Sequence, residues 1–365
     1  MVPFVAKSAS EAHACSMEAV MCDISALAYW RRDSEPLGSF VPPRTMEPAK
    51  RGRPQVDVPS AAMVDDLAGW GLVDRGNVCL LVSSKEDRRR MSGVHYIVQG
   101  TEVPAGSFVR TRGQVYVVAP ELLFIQLARH LSLVELLEVG YELCGTYRMG
   151  DTEGEVVYER EPLTSVSKLA AYARRAKGMR GRSVALRATQ WILDNSASPA
   201  ETALAIMFKL PRHLGGYALG DFQLNYEIAL DQAAARILGR DTIRPDHFWI
   251  SARHPSEYDS LLFHSSREQQ EYDERRRNAY MAMGMSVTVF RPRHLCNVQL
   301  MDEMVEGIRR NIGAQWRELP ADYELVHGEL FNEVFRYWLR CRECYGTGVE
   351  FAQRVAEYSN PEQPW

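Results

Sequence analysis

The sequence predicts an α/β protein, specifically an α+β mixed sheet with helices packed on it, and three observations predict it. Short β-branched runs bounded by Gly, Ser and Pro, such as "NVCLLVSS" (77–84), "VHYIVQG" (94–100) and "GQVYVVAP" (113–120), read as strands. Stretches with apolar residues at three-and-four spacing, such as "PELLFIQLARHLSLVELLEVGYELCG" (120–145), read as helical. Between residues 198 and 300 the two patterns alternate in the order helix, strand, strand, strand, helix, strand, which implies one sheet flanked by helices.

At 365 residues the chain is long enough for two domains. Residues 1–59 form an N-terminal segment and a proline-rich connector, "PLGSFVPPRTMEPAKRGRPQVDVP" (36–59), extended in character. Residues 60–165 read as a small mixed α/β domain with no catalytic pattern, available to a protein partner. Residues 166–197 read as a basic helical connector. Residues 198–300 carry the alternating elements, and 301–365 are a helical extension with a polar tail. Within 198–300, "SPAETALAIMFKLP" starts a helix with Ser198 as N-cap and Pro199 at the first helical position. "GDFQLNYEIAL", "DHFWIS" and "SEYDS" are strands, "REQQEYDERRRNAYMAMG" is a helix ending at Gly284, and "MSVTVFRP" is a further strand.

Composition is that of an ordinary globular chain, 25% charged with a formal net charge of −4, which excludes a polybasic protein but leaves room for local basic patches. No run of about eighteen apolar residues occurs, so no membrane span is expected. The N-terminus lacks a basic start and an unbroken apolar core. Seven scattered cysteines fit a reducing compartment, so a cytoplasmic location is expected. No GxxxxGK[ST] loop, no GxGxxG after a strand and no GxSxG elbow occurs, so nucleotide hydrolysis, dinucleotide chemistry and α/β-hydrolase chemistry are unsupported.

The chemically dense stretch is "RPDHFWISARHPSEYDSLLFH" (244–264), two apolar runs that carry Asp246, Glu257, Asp259 and His264. Glu257 and Asp259 leave the same face of a strand, and a tight turn at Ser251–Ala252 places Asp246 opposite Glu257. Three carboxylates so gathered raise one another's pKa, and a hard cation with oxygen ligands, Mg²⁺ or Mn²⁺, relieves the repulsion and can activate water against a phosphodiester. A hairpin with one polar, solvent-facing side accounts for the same acids. His247 and His254, nearer the turn, read as loop or surface groups.

The run "SPAETAL … DHFWI … SEYDS … H … DERRRNAYMAMGMSVTVFR" resembles the PD-(D/E)XK nuclease superfamily, and within it uncharacterised proteins related to the very-short-patch-repair endonuclease. The likeness covers residues 198–300. It implies a restriction-endonuclease-like core, a small N-terminal α/β domain before it, and metal-dependent DNA hydrolysis. By this resemblance Asp246 is the first metal-binding acid, Glu257 the second, and Glu201 the acid of the leading helix. His264 matches the histidine after the second acidic strand, and Arg276 the arginine of D-x-x-R, where it binds phosphate or braces the site. One departure stands out: Asp259 occupies the position where the superfamily usually has lysine, leaving His264 as the general base or water-orienting group near neutral pH.

Candidate DNA contacts lie outside this run. "AKRGRPQ" (49–55) resembles an AT-hook core in which Arg51 and Arg53 enter a narrow minor groove, but the match is four residues long and a solvated basic linker accounts for it more simply. Between Val166 and Arg187 the chain carries Lys168, Arg174, Arg175, Lys177, Arg180, Arg182 and Arg187 and no acid, which suits phosphates as well as it suits a solvated connecting helix. Cys341 and Cys344 in "CRECYGTG" have zinc spacing and resemble one unit of a cysteine-rich chaperone repeat, but a second pair is absent and His294 with Cys296 would complete a site only by coincidence of folding, so zinc is not expected.

Two functions follow. One is a Mg²⁺- or Mn²⁺-dependent DNA endonuclease or nickase using Asp246, Glu257, Asp259, Glu201, His264 and Arg276, with a role in host defence or a mobile element. The other is a non-catalytic DNA-binding regulator with a degenerate nuclease fold, since residues 60–160 resemble regions of abortive-infection-type antitoxin relatives.

Overall fold

A computed structural model describes residues 17–32, 54, 56–150, 155–259, 267–315 and 318–345. Arg51, Arg53 and His264 lie outside the described residues. The fold is mixed α/β with mixed sheets, and among the described residues no helix is long and apolar enough to cross a membrane.

The chain divides into two compact units, with the boundary at Ala119/Pro120 rather than near 165. The first contains β1 (Ala19–Met21), α1 (Asp23–Arg31), α2 (Ala61–Gly69), β2 (Val78–Val82), β3 (Val94–Val98), β4 (Phe108–Arg110) and β5 (Val115–Val118). Its five strands lie in the order β3-β2-β1-β5-β4. β1 is parallel to β5 and antiparallel to β2, and Ala19, Val20 and Met21 are fully buried, so β1 reads as an uninterrupted apolar run.

The second unit begins with α3 (Pro120–Leu127) and α4 (Leu133–Cys144). The helical stretch 120–145 is thus two helices, because Ser132 caps the second: its hydroxyl accepts from the Glu135 N–H, and Glu135 returns the bond to the Ser132 N–H. A small ribbon follows, β6 (Arg148–Met149) and β7 (Val156–Val157), then α5 (Val166–Arg175) and α6 (Arg182–Ala188). The basic segment 166–187 is therefore a pair of short helices packed on α3 and α4, which is why the boundary lies upstream of them.

Next come α7 (Pro199–Lys209), β8 (Gln223–Leu224), β9 (Ile228–Ala229), α8 (Gln232–Leu238), β10 (Thr242–Ile243), β11 (His247–Trp249), β12 (His254–Tyr258), α9 (Arg267–Ala282) and β13 (Thr288–Phe290). Four strands form a sheet in the order β13-β12-β11-β8, with β8, β11 and β12 successively antiparallel and β13 parallel to β12. The parallel pair needs a crossover, and α9 supplies it. Asn225, with φ of 49°, turns the chain out of β8, so "GDFQLNYEIAL" is two strands in different sheets.

Both faces of this sheet are covered. On one, Phe208 of α7 packs against His247, Trp249 and Phe290 at ring-centroid distances of 5.2–5.7 Å. On the other, Phe248 packs with Ala279 and Tyr280 of α9, Ala234 and Leu238 of α8, and Ile228, Ile243 and Met285. The chain closes with α10 (Pro292–Leu295), α11 (Val298–Asn311), α12 (Tyr323–Val334) and α13 (Arg336–Tyr345).

Candidate functional site: a buried carboxylate cluster

The β11–β12 hairpin pairs His247 with Ser256, Phe248 with Pro255 and Trp249 with His254, which brings Asp246 level with Glu257 at the open end. The turn is Ile250–Arg253, closed by the Arg253 N–H donating to the Ile250 carbonyl. Period-two alternation puts Asp246, Phe248, Pro255 and Glu257 on the α9 face and His247, Trp249, His254 and Ser256 on the α7 face.

His247 and His254 are consequently not loop or surface groups. Both are almost completely buried, because α7 covers the face they point to. His247 Nε2–H donates to the Glu201 carbonyl at 3.1 Å, leaving Nδ1 to accept from Ser256 Oγ at 3.3 Å. Burial lowers both histidines to a pKa of about 4, so they are neutral packing groups at pH 7.

Asp246 and Glu257 face each other across the hairpin, close enough for each carboxyl to shift the other's pKa. The Tyr258 N–H donates to Asp246 Oδ2 at 2.6 Å. Glu257 Oε1 accepts from the Tyr280 hydroxyl at 2.6 Å and pairs with Arg276 at 2.9 Å. Arg276 is held in turn by donating to the Arg244 carbonyl. The third acid of the group is Glu201, whose Oε2 accepts from the Ala197 N–H at 3.0 Å and from Asn225 Nδ2 at 2.7 Å. Ser198 caps α7 by accepting from the Glu201 N–H, which fixes Glu201 in the first helical turn.

Burial raises all three acids. Glu201 is pushed up to about 8, first by burial and then by the charge of Asp246. Glu257 rises well above the carboxylate range through burial, opposed by Arg276 and reinforced by Asp246 and Glu201. Asp246, half-buried with an edge open to solvent, rises less far because Arg276 and the Tyr258 N–H favour its ionised form. Full ionisation of the Asp246–Glu257 pair is therefore disfavoured at this site.

Asp259 is not the third member that the sequence suggests. The strand ends at Tyr258, and the Asp259 carboxylate turns towards Arg291, 3.7 Å away, at the end of β13. Sequence reading also missed Tyr280 and Asn225. Tyr280 lies four residues after Arg276 on α9, so helical spacing could have placed it on the same face. Asn225 gave no such signal, since its approach to Glu201 depends on the left-handed turn after β8.

Among the described residues no set of three or more Asp, Glu, His or Cys side chains stands in a coordinating arrangement. The donor set at the site is oxygen only, and Mg²⁺ commonly takes one or two carboxylates with water completing its shell. Asp246 and Glu257 fit that requirement as a pair. Elsewhere, His294 accepts from the Arg291 N–H at 2.9 Å and faces Arg293, and Cys296 donates to the Trp338 carbonyl, so both are engaged in local packing. Arg276 is a partner of Glu257, and of the basic residues of α5–α6 all but half-buried Arg182 are exposed.

No family model matches the chain, and neither a curated protein nor a solved structure does.

Proposed function

We propose that this chain is a metal-dependent DNA endonuclease or nickase that hydrolyses phosphodiester bonds at the Asp246–Glu257 pair. The observation that carries the reading is the register that sets these two acids level on neighbouring antiparallel strands, with Glu201 close enough to interact electrostatically with both. Two acids drawn together, with Arg276 as the one cation that among the described residues forms an ion pair with them, are costly unless protonated or joined by a metal. The succession α7, β8, β11, β12, α9, β13 also agrees with the restriction-endonuclease-like core that the resemblance implies.

Mg²⁺ or Mn²⁺, held by Asp246 and Glu257, would supply charge neutralisation and an activated water. The protein's own residues have separate tasks. Tyr280 and Arg276 fix the Glu257 carboxylate, Asn225 and the Ala197 N–H fix Glu201, and Asp246 keeps part of its surface exposed to solvent.

The second reading is a non-catalytic DNA-binding regulator. It is favoured by Asp259, which replaces the customary lysine and turns to Arg291. Nicking of supercoiled plasmid at low salt with Mg²⁺ or Mn²⁺, wild type beside Asp246→Ala, separates them. Metal-dependent cleavage lost in the variant supports the nuclease; two equally inert proteins that still bind the plasmid support the regulator.

A further inference from the structure

The segment of the α5–α6 pair, 166–187, carries seven cations and no acid, and its surroundings leave that charge uncompensated. Lys168, Arg174, Arg175, Lys177, Arg180 and Arg187 are exposed, and among the described residues none of them forms an ion pair within 4.0 Å. The opposite side of the pair is core: Leu169, Tyr172, Ala173, Ala176, Ala185 and Ala188 are at most 2% exposed.

The two helices are held in fixed relation. The seventh cation, Arg182, turns inward and donates from Nε to the Ala173 carbonyl at 2.7 Å, capping the end of α5. Gly181 has φ of 89°, and a Cβ there would meet the Ile125 carbonyl oxygen of α3 at 2.3 Å. The turn is therefore clamped between its own arginine and the neighbouring helix, and the exposed cations project from a rigid mount.

We infer that this face is a docking surface for the phosphate backbone of double-stranded DNA. The composition of the face discriminates among polyanions. A protein partner would need an apolar centre, and the only large hydrophobic exposed on these helices is Val184 at 36%. A membrane surface would need an insertable apolar stripe, and that stripe is already buried on α3 and α4. Single-stranded nucleic acid is held by stacking on exposed aromatics, and the aromatic of this pair, Tyr172, is 2% exposed with Arg175 over its ring. Duplex backbone asks for positive charge on a rigid support and little else, because phosphate contacts position without reading sequence. The preference for DNA over other rigid polyanions rests on the nuclease reading above; the surface itself needs neither metal nor hydrolysis.

The test is fluorescence anisotropy with a labelled random-sequence 25-base-pair duplex in EDTA, over 50–200 mM salt. It compares wild type, the triple variant R174Q/R175Q/R180Q and D246N, with melting temperatures to verify folding. Wild type is expected to bind with affinity falling steeply with salt. The folded triple variant should bind at least tenfold more weakly, its salt dependence shallower by about 2–3 in the log–log slope for three lost phosphate contacts. D246N should bind at least as tightly as wild type. A triple variant that binds like wild type overturns the proposal, as does tighter binding of a single strand of equal length. If no protein binds duplex, the surface is not a DNA contact. Weak binding by D246N with an unimpaired triple variant would move the contact to the carboxylate site, removing this proposal while leaving the nuclease reading intact. A wild type that binds duplex through this face yet does not nick plasmid with either metal does the reverse.

Discussion

The Tyr280 hydroxyl donates to Glu257 Oε1 at 2.6 Å, while the ring of the same tyrosine is 1% exposed in the core beneath the sheet. One side chain thus joins the packing of α9 on β11 to the orientation of the central acid. Removing the hydroxyl takes a donor from the ionised form of Glu257, whose pKa burial has already raised. Tyr280→Phe is expected to destabilise the protein by about 1–2 kcal/mol. It should also move the acidic limb of metal-dependent nicking to higher pH by on the order of one pH unit. An unchanged pH profile would mean that Tyr280 only packs.

Glu201 has its folded pKa raised from 4.5 to about 8 by burial and by Asp246. Its protonated form is favoured in the folded state, so the stability it contributes is fully present below about pH 4.5 and is lost as pH rises through 8. Glu201→Gln should flatten the loss of thermal stability between pH 5 and 8 that the wild type shows in EDTA. With Mg²⁺ at a hundredfold excess over its Kd, the wild type should gain about 2.7 kcal/mol at pH 8. Calorimetry across the pH series reads both.

His247 ties β11 to α7 through the Glu201 carbonyl, and burial depresses it from 6.5 to about 4. A depressed histidine contributes stability above its unfolded value and loses it as pH falls through the folded one. His247→Ala should cost about 2–4 kcal/mol at pH 7 through the cavity and the orphaned carbonyl. The gap from wild type should narrow between pH 6.5 and 4 in denaturant titrations.

His327 of α12 behaves oppositely. Its Nδ1 faces the Gly215 carbonyl at 2.6 Å and its Nε2 faces Asp302 of α11 at 3.2 Å, so both nitrogens meet acceptors and the imidazolium suits both. Burial pulls its pKa down, but Asp302 and the carbonyl outweigh it and the net shift is upward from 6.5. The resulting stability is present below pH 6.5 and disappears as pH rises through the raised folded value. His327→Gln should lose about 1 kcal/mol at pH 6 and little at pH 9 in chemical unfolding, a modest effect because Asp302 is half-exposed.

Gly181→Ala meets two obstacles at once, a left-handed φ of 89° and an approach of 2.3 Å to the Ile125 carbonyl. A loss of about 1–3 kcal/mol is expected from backbone strain alone, visible as a lower melting temperature. An Ala variant as stable as wild type would show that the α5–α6 turn is not clamped.

Much of the architecture was legible in the sequence because it is set by local rules. Short β-branched runs bounded by Gly, Ser and Pro gave β2, β3 and β5, the Ser198-Pro199 pair marked the start of α7, and the short turn at 251–252 fixed the register that sets Asp246 across from Glu257. Each depends on neighbours within a few residues along the chain. The breaks inside 120–145 and 166–187 were also written locally, in Ser132 and in Gly178 and Gly181, but uninterrupted apolar and basic patterns masked them.

What only the tertiary structure decided is which side chains converge. Whether a strand has one covered face or two is invisible to its own sequence, so His247 and His254 read as surface groups until α7 is seen over them. Glu201 rather than Asp259 approaches the acid pair because α7 is laid against β11 by His247, while Asp259 lies past the end of its strand and turns to Arg291. Asn225 and Tyr280 join by the same long-range packing. By itself the sequence determined the elements, the hairpin register and the presence of Asp246 and Glu257. Three-dimensional packing chose their partners, because hydrogen bonds and charge coupling act over a few ångströms in space, regardless of separation along the chain.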